Sequence, residues 1–250
     1  MRTISVVVAL LALALGTAVA AESGSPLIQA VRSGSIDQVR DLLRNGVDVN
    51  ATQGDGATAL HWAAHRSDVA ATELLIRAGA DVNRANELGA TPLWLASLNG
   101  DAVIAGKLLD ARADPNRALA SGETPLMTAA RSGSVQTVTL LIDHGADINA
   151  TERVRGQTAL MWAVDQRHTA VVRTLLTRGA NVHTLSAVWK QLENTAGNTN
   201  SAGDFLMSHG GASAILFAAR QGDLETAAAL LEAGANVNDA DAAGTPGTEA

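Results

Sequence analysis

In the stretch GATALHWAAHRS, residues 56–67, His61 and His65 stand four residues apart with Asp68 just beyond. On a helix this spacing puts both imidazoles on one face, and two imidazoles plus a carboxylate are the donors a catalytic zinc site uses. A metal-dependent enzyme using His61 and His65 is therefore one reading of the chain. The other histidines add no third ligand at a recognisable spacing: His144, His168, His183 and His209 are scattered. None stands with Ser and Asp as in a nucleophilic triad, and no glycine-rich phosphate loop is present. With no cysteine in the chain there is no thiolate ligand, Cys nucleophile or disulfide.

The elements that must carry these residues repeat. SPLIQA at Ser25, TALHWA at Thr58, TPLWLA at Thr91, TPLMTA at Thr124, TALMWA at Thr158 and SAILFA at Ser213 fall into register. A second motif keeps step with the first, ending at Asn50, Asn83, Asn116, Asn149, His183 and Asn238. Such a period is the mark of a repeat array. The opening Ser or Thr reads as a helix N-cap, followed by Pro26, Pro92 or Pro125 at the first helical position. Leucine and then alanine three residues on share one helix face, and a glycine ends most copies. A second helix follows with an apolar pair such as Leu75-Ile76 or Leu141-Ile142, then a glycine and a polar turn. Neither helix is long enough to stand alone, so each must bury its stripe on the next unit.

These columns resemble the ankyrin repeat signature, T-P-L-H-x-A-A followed by L-L-x-x-G-A-D-V-N. The resemblance implies an all-α, ankyrin-repeat solenoid of about six helix-turn-helix repeats, with β-hairpin loops projecting as fingers beside a concave face. It places repeats one to five in residues 24–185 and repeat six in 211–241. His61 then falls in the histidine column, where the resemblance implies a bond to the threonine side and to neighbouring backbone. Ile28, Trp94, Met127, Met161 and Leu216 fill the same column, which is not how a ligand position behaves. The NAT triplets at Asn50 and Asn149 match a glycosylation acceptor, but both asparagines belong to the repeat column.

Composition bounds the partners. The chain has 250 residues, is 47% hydrophobic and carries a formal charge of −7 without a Lys/Arg run, so nucleic acid is not an expected partner. Residues 1–20 read as a cleaved signal peptide, with Arg2, an apolar run from Ile4 to Gly16 and Ala18-Val19-Ala20. The run is short of the ~20 residues of a spanning helix, so no stable membrane insertion is expected after cleavage. The expected location is exported, in a periplasm, with an extracellular one as the alternative.

Breaks in the repeat mark individuality. Ser67 and Arg167 replace the glycine between helices and Arg112 the glycine after the second helix, each costing about 1 kcal/mol if φ is positive there. Trp62 and Trp162 share a column read as core, and Trp94 is read as core or inter-repeat packing. The finger tips offer Asp55, Asn86, Glu87, Glu123, Glu152, Arg153, Arg155 and Gln157, the fourth finger being one residue longer. With His65 and Arg66 at the exposed end of one helix, these are the candidate partner-binding residues. Residues 186–210 are an insertion: SAVWKQLEN is read as a short helix carrying Trp189, a further candidate, and TAGNTNSAG as a flexible loop. It reads either as a loose loop with Trp189 laid on the solenoid or as a flap specific to a partner. Residues 242–250 read as a tail or the truncated start of a further repeat, because the sixth second helix, ETAAALLEAG, is too apolar for a terminal unit. The sum is a non-enzymatic scaffold that needs no cofactor and binds another protein through the concave face. A targeting or regulatory part of a longer ankyrin-containing polypeptide is a further alternative.

Overall fold

The computed structural model describes residues 25–194 and 204–242, with side chains described outside 191–206. The expected signal peptide, the TAGNTNSAG loop and the tail after Ala242 lie outside the described residues.

Twelve helices of seven to nine residues run in pairs among the described residues. They are α1 (Pro26–Arg32), α2 (Ile36–Arg44), α3 (Ala59–His65), α4 (Val69–Arg77), α5 (Pro92–Leu98), α6 (Ala102–Asp110), α7 (Pro125–Ser132), α8 (Val135–Asp143), α9 (Ala159–Asp165), α10 (Thr169–Thr177), α11 (Ala214–Gln221) and α12 (Leu224–Glu232). First helices stack in one row, α1 on α3 on α5 on α7 on α9 on α11, and second helices in another. The core follows both rows without a break: Leu27, Leu60, Leu93, Leu126 and Leu160 in the first, Leu75, Leu108, Leu141, Leu175 and Leu230 in the second, all buried. At seven to nine residues no helix is stable alone, so this sideways burial holds each one.

Thr91, Thr124 and Thr158 cap their helices as expected, each hydroxyl accepting the N–H three residues on. A ladder ties the loops between second helix and finger. The Asn50, Asn83, Asn116 and Asn149 side-chain oxygens accept the Asp81, Asp114, Asp147 and Asn181 N–H of the next repeat at 2.7–2.8 Å. The amides of Asn83 and Asn116 also donate to Arg112 O and Gly145 O. Asn50 and Asn149 are thus structural. His183, in the same column, does not continue the ladder among the described residues.

The fingers are tight turns rather than long hairpins. In the first, Gln53 N–H bonds Ala57 O and a single bridge pairs Thr52 with Thr58. The exception is the insertion. SAVWKQLEN does not form the expected helix: Val188–Asn194 is strand β1, antiparallel to β2 (Asp204–Gly210), with Trp189 opposite His209 and Leu192 opposite Leu206. Pairing with a segment ten residues further on overrides local helical spacing. At its root, Ser186 N–H bonds Ala212 O as Gln53 bonds Ala57. The insertion is therefore the fifth finger drawn out, its seven-residue strands about 23 Å long at ~3.3 Å per residue. Gly210 permits this (φ 83°), since a Cβ there would lie 1.9 Å from Ala187 O.

At the far end, α12 packs on α10 and leaves Leu224 81% and Leu231 44% exposed.

The three replaced glycines do adopt positive φ: Ser67 55°, Arg112 67°, Arg167 58°. Arg167 recovers contacts through its guanidinium to Gln221, whereas Ser67 is exposed and has no side-chain hydrogen bond among the described residues. Ser67→Gly is expected to add about 1 kcal/mol and raise the Tm by ~2–4 °C in a thermal melt followed by circular dichroism. Deleting residues 188–209 restores the 33-residue spacing and a five-residue finger closed by Ser186 and Ala212. This variant is expected to melt cooperatively, within a few degrees of the full chain.

Candidate functional site

His61 and His65 do not share a site. His61 is 2% exposed, its Nδ1 accepting the Thr58 N–H (3.1 Å) and lying 2.9 Å from Thr58 Oγ1. Its Nε2 is 3.0 Å from Ala90 O, which requires a proton there, so the ring is neutral and both nitrogens are used. This is the bond to threonine and neighbouring backbone that the histidine column implied. His65 is exposed and sets its ring edge-on to Trp62 at 6.1 Å. Asp68 caps α4, accepting Ala71 N–H at 2.9 Å. Among the described residues no three His, Cys, Asp or Glu side chains gather as a metal would need.

A different surface is built. The first helices and the fingers enclose a groove, and the side chains that define it bridge the two. Trp62 Nε1 donates to Gln53 Oε1 of the first finger at 3.2 Å. Thr128 and Arg131 of α7 both reach Glu123 in the third finger. The column holding Gln29, Trp62, Leu95, Thr128, Trp162 and Phe217 therefore faces the fingers. Its aromatics are half-buried, not core as read from their apolar majority. The core columns on either side are equally apolar, so composition could not separate the groove face from the stacking face. Trp94 is half-buried too, its Nε1 shielded and without an acceptor among the described residues.

Arginines cover these tryptophans from the preceding repeat: Arg32 lies 4.6 Å from the Trp62 ring centroid and Arg131 4.9 Å from that of Trp162. A third such pair joins two fingers, Arg155 standing 4.8 Å from Trp189, whose other neighbour is the His209 ring, stacked at 5.8 Å. Nothing in the repeat columns signalled Arg32, Arg131 or His209, because each pairing crosses 30 or 31 residues or, for His209, a hairpin outside the repeat.

The predicted finger-tip residues divide. Asp55, Glu87, Arg153 and Arg155 are exposed and Asn86 is half-buried. Backbone links one tip to the next: Glu87 N–H to Asp55 O, Arg153 N–H to Ser121 O, Ala187 N–H to Arg155 O. Asn86 uses its side-chain oxygen inside its own turn, on Leu88 and Ala90 N–H. The Ala57 N–H holds the Asp55 carboxyl below the usual carboxylate range. Glu152 is not a surface residue: it is 6% exposed, and its carboxylate turns inward onto the N–H groups of Val154, Arg155 and Gln157. The extra residue of this finger makes room for that internal cap. Gln157 is half-buried at the finger's base, closing it with Glu152. Arg66 is exposed, its guanidinium 3.8 Å from where a side chain on Gly34 would begin.

The comparisons agree with this architecture. The family pattern for ankyrin repeats in three copies matches residues 27–118 and 99–186, and the single ankyrin repeat pattern matches 210–242. The chain belongs to the ankyrin repeat family. It is 48% identical over 42 residues to the putative ankyrin repeat protein RP714 of Rickettsia prowazekii (strain Madrid E), a match covering 17% of this chain and only 39% of that one. The crystal structure of the human ASB11 ankyrin repeat domain is similar with a TM-score of 0.72 and 26% identity, covering 89% of this chain and 90% of that one. Ankyrin repeats are in general protein-interaction modules.

Burial pushes the His61 imidazole below the usual histidine range, while its bond to Ala90 O works the other way. Unfolding then takes up a proton, so the contribution is whole above about pH 6.5 and drains as pH falls below that value. His61→Met, which places here the side chain Met127 and Met161 carry in their repeats, is expected to flatten the fall in Tm between neutral and mildly acid pH.

Proposed function

We propose that this chain is a non-enzymatic scaffold that holds another protein in the groove between its first helices and its fingers. The observation that carries this reading is the column of Trp62, Leu95, Trp162 and Phe217, which the stacking of repeats leaves half-exposed while it buries the leucines of the neighbouring core column. Half-exposed aromatics flanked by arginine on a rigid support are the side chains that anchor interfaces. The drawn-out fifth finger extends the wall of the groove past the other tips, which supports a part for it in choosing the partner. The amino-terminal residues support export, to a periplasm or beyond the cell, and the partner is then an exported protein.

A photo-crosslinking amino acid at Leu95, in the groove, is compared with one at Thr139 on the row of second helices, in an extract of the exported fraction of the source cell. Crosslinks to one discrete protein from position 95 and not from 139 are expected, reduced when residues 188–209 are deleted. Equal crosslinking from both positions would overturn the reading, as would none from position 95.

A further inference from the structure

We infer that the groove receives an extended segment of the partner rich in both carboxylate and apolar side chains, a deepening that rests on the protein-scaffold reading above. On the row of second helices nearly every cation has a carboxylate partner: Arg40 with Asp37, Arg44 with Asp41, Arg77 and Lys107 with Glu73, Arg178 with Asp143, Arg173 with Glu225 and Glu232. In the groove Arg131 and Arg220 pair with Glu123 and Asp241, but among the described residues no carboxylate pairs with Arg32 or Arg155, and each instead stands over an indole ring.

The groove's carboxylates, by contrast, are engaged within the protein. Asp55 takes the N–H groups of Ala57 and the Gln53 amide, Glu123 the Thr128 hydroxyl and Arg131, Asp165 the amides of Gln166 and Gln221. Glu152 is spent on its own finger, and among the described residues of the groove Glu87 stands outside this arrangement. In a chain of net charge −7, Arg32 and Arg155 thus stand on the groove without a carboxylate among the described residues, beside groove carboxylates that are already engaged.

A guanidinium stacked on an indole keeps its N–H edge free for an oxyanion, and the stack fixes its orientation before any ligand arrives. The exposed parts of Trp62, Leu95 and Trp162 between and beside these edges suit apolar side chains. The pair Arg32–Trp62 bridges repeats one and two and Arg155–Trp189 bridges fingers four and five, three repeat spacings along the array. At about 8–10 Å per spacing they stand roughly 24–30 Å apart, which an extended chain covers in about seven to nine residues. A helix or a globular surface does not offer side chains on that line so readily as a strand-like segment does.

The test uses fluorescently labelled peptides of about fifteen residues, long enough for that span, repeating Glu-Ser-Leu, Lys-Ser-Leu or Glu-Ser-Ser, with the whole chain as receptor. Saturable binding of the Glu-Ser-Leu peptide is expected, weakening as salt rises, with Lys-Ser-Leu and Glu-Ser-Ser each at least about tenfold weaker. Arg32→Gln and Arg155→Gln are each expected to weaken it several-fold, while Arg77→Gln on the other row leaves it unchanged. Thermal melts separate this from lost packing: a variant with lost affinity and an unshifted Tm at the assay temperature supports the inference. Equal binding of acidic and basic peptides overturns it, and so does full affinity in the double variant Arg32→Gln/Arg155→Gln. If crosslinking from Leu95 succeeds while the acidic peptides do not bind, the scaffold reading stands and only the segment's chemistry is wrong.

Discussion

Everything in this molecule depends on sideways burial between neighbouring repeats. Helices of seven to nine residues have no independent existence in water, because the cost of nucleating them exceeds what so few backbone bonds return. Each pair persists because Leu and Ala on one face are covered by the next pair. The polar counterpart is the asparagine ladder, in which one side chain accepts from the following repeat and so sets the distance and angle between units. Stability in such an array is nearly a sum of neighbour terms. The break in the ladder at His183, just before the drawn-out fifth finger, therefore weakens one joint without unravelling the rest. Side-chain bonds across that joint, Thr169 to Thr226 and Gln221 to Asp165, tie repeat five to repeat six instead.

This constraint also determines where function can reside. Covered faces hold apolar side chains and polar ones, such as His61 and Thr72, whose polar atoms are bonded inside, and the loops that carry the ladder are committed to it. What remains free is the groove column and the finger tips. Even some of these are used internally, as Glu152 shows by capping its own finger. The longest departure from the repeat is placed where it disturbs no stacking contact: a hairpin added at a finger lengthens the molecule's edge, and the helices on either side keep their register. Its root is pinned by a guanidinium, an indole and an imidazole in one stack, joining the fourth finger to the fifth.

The sequence by itself determined the repeat length, the caps, the leucine and alanine columns and the family, since periodic positions report the same local environment six times over. It also located the strained residues: Ser67, Arg112 and Arg167 stand in glycine columns, and a column shared with glycine states its backbone angle. The two-histidine pattern was resolved in the same way, because Met and Trp share the His61 column. Only the tertiary structure decided which apolar column faces outward, since a groove lined by Trp62 and Trp162 and a core lined by leucine have the same one-dimensional signature. Only it turned SAVWKQLEN into a strand, because the partner strand lies beyond any local period. The arginine–tryptophan pairs were hidden for the same reason: they form across repeats, between residues whose nearness exists only once one unit is stacked on another.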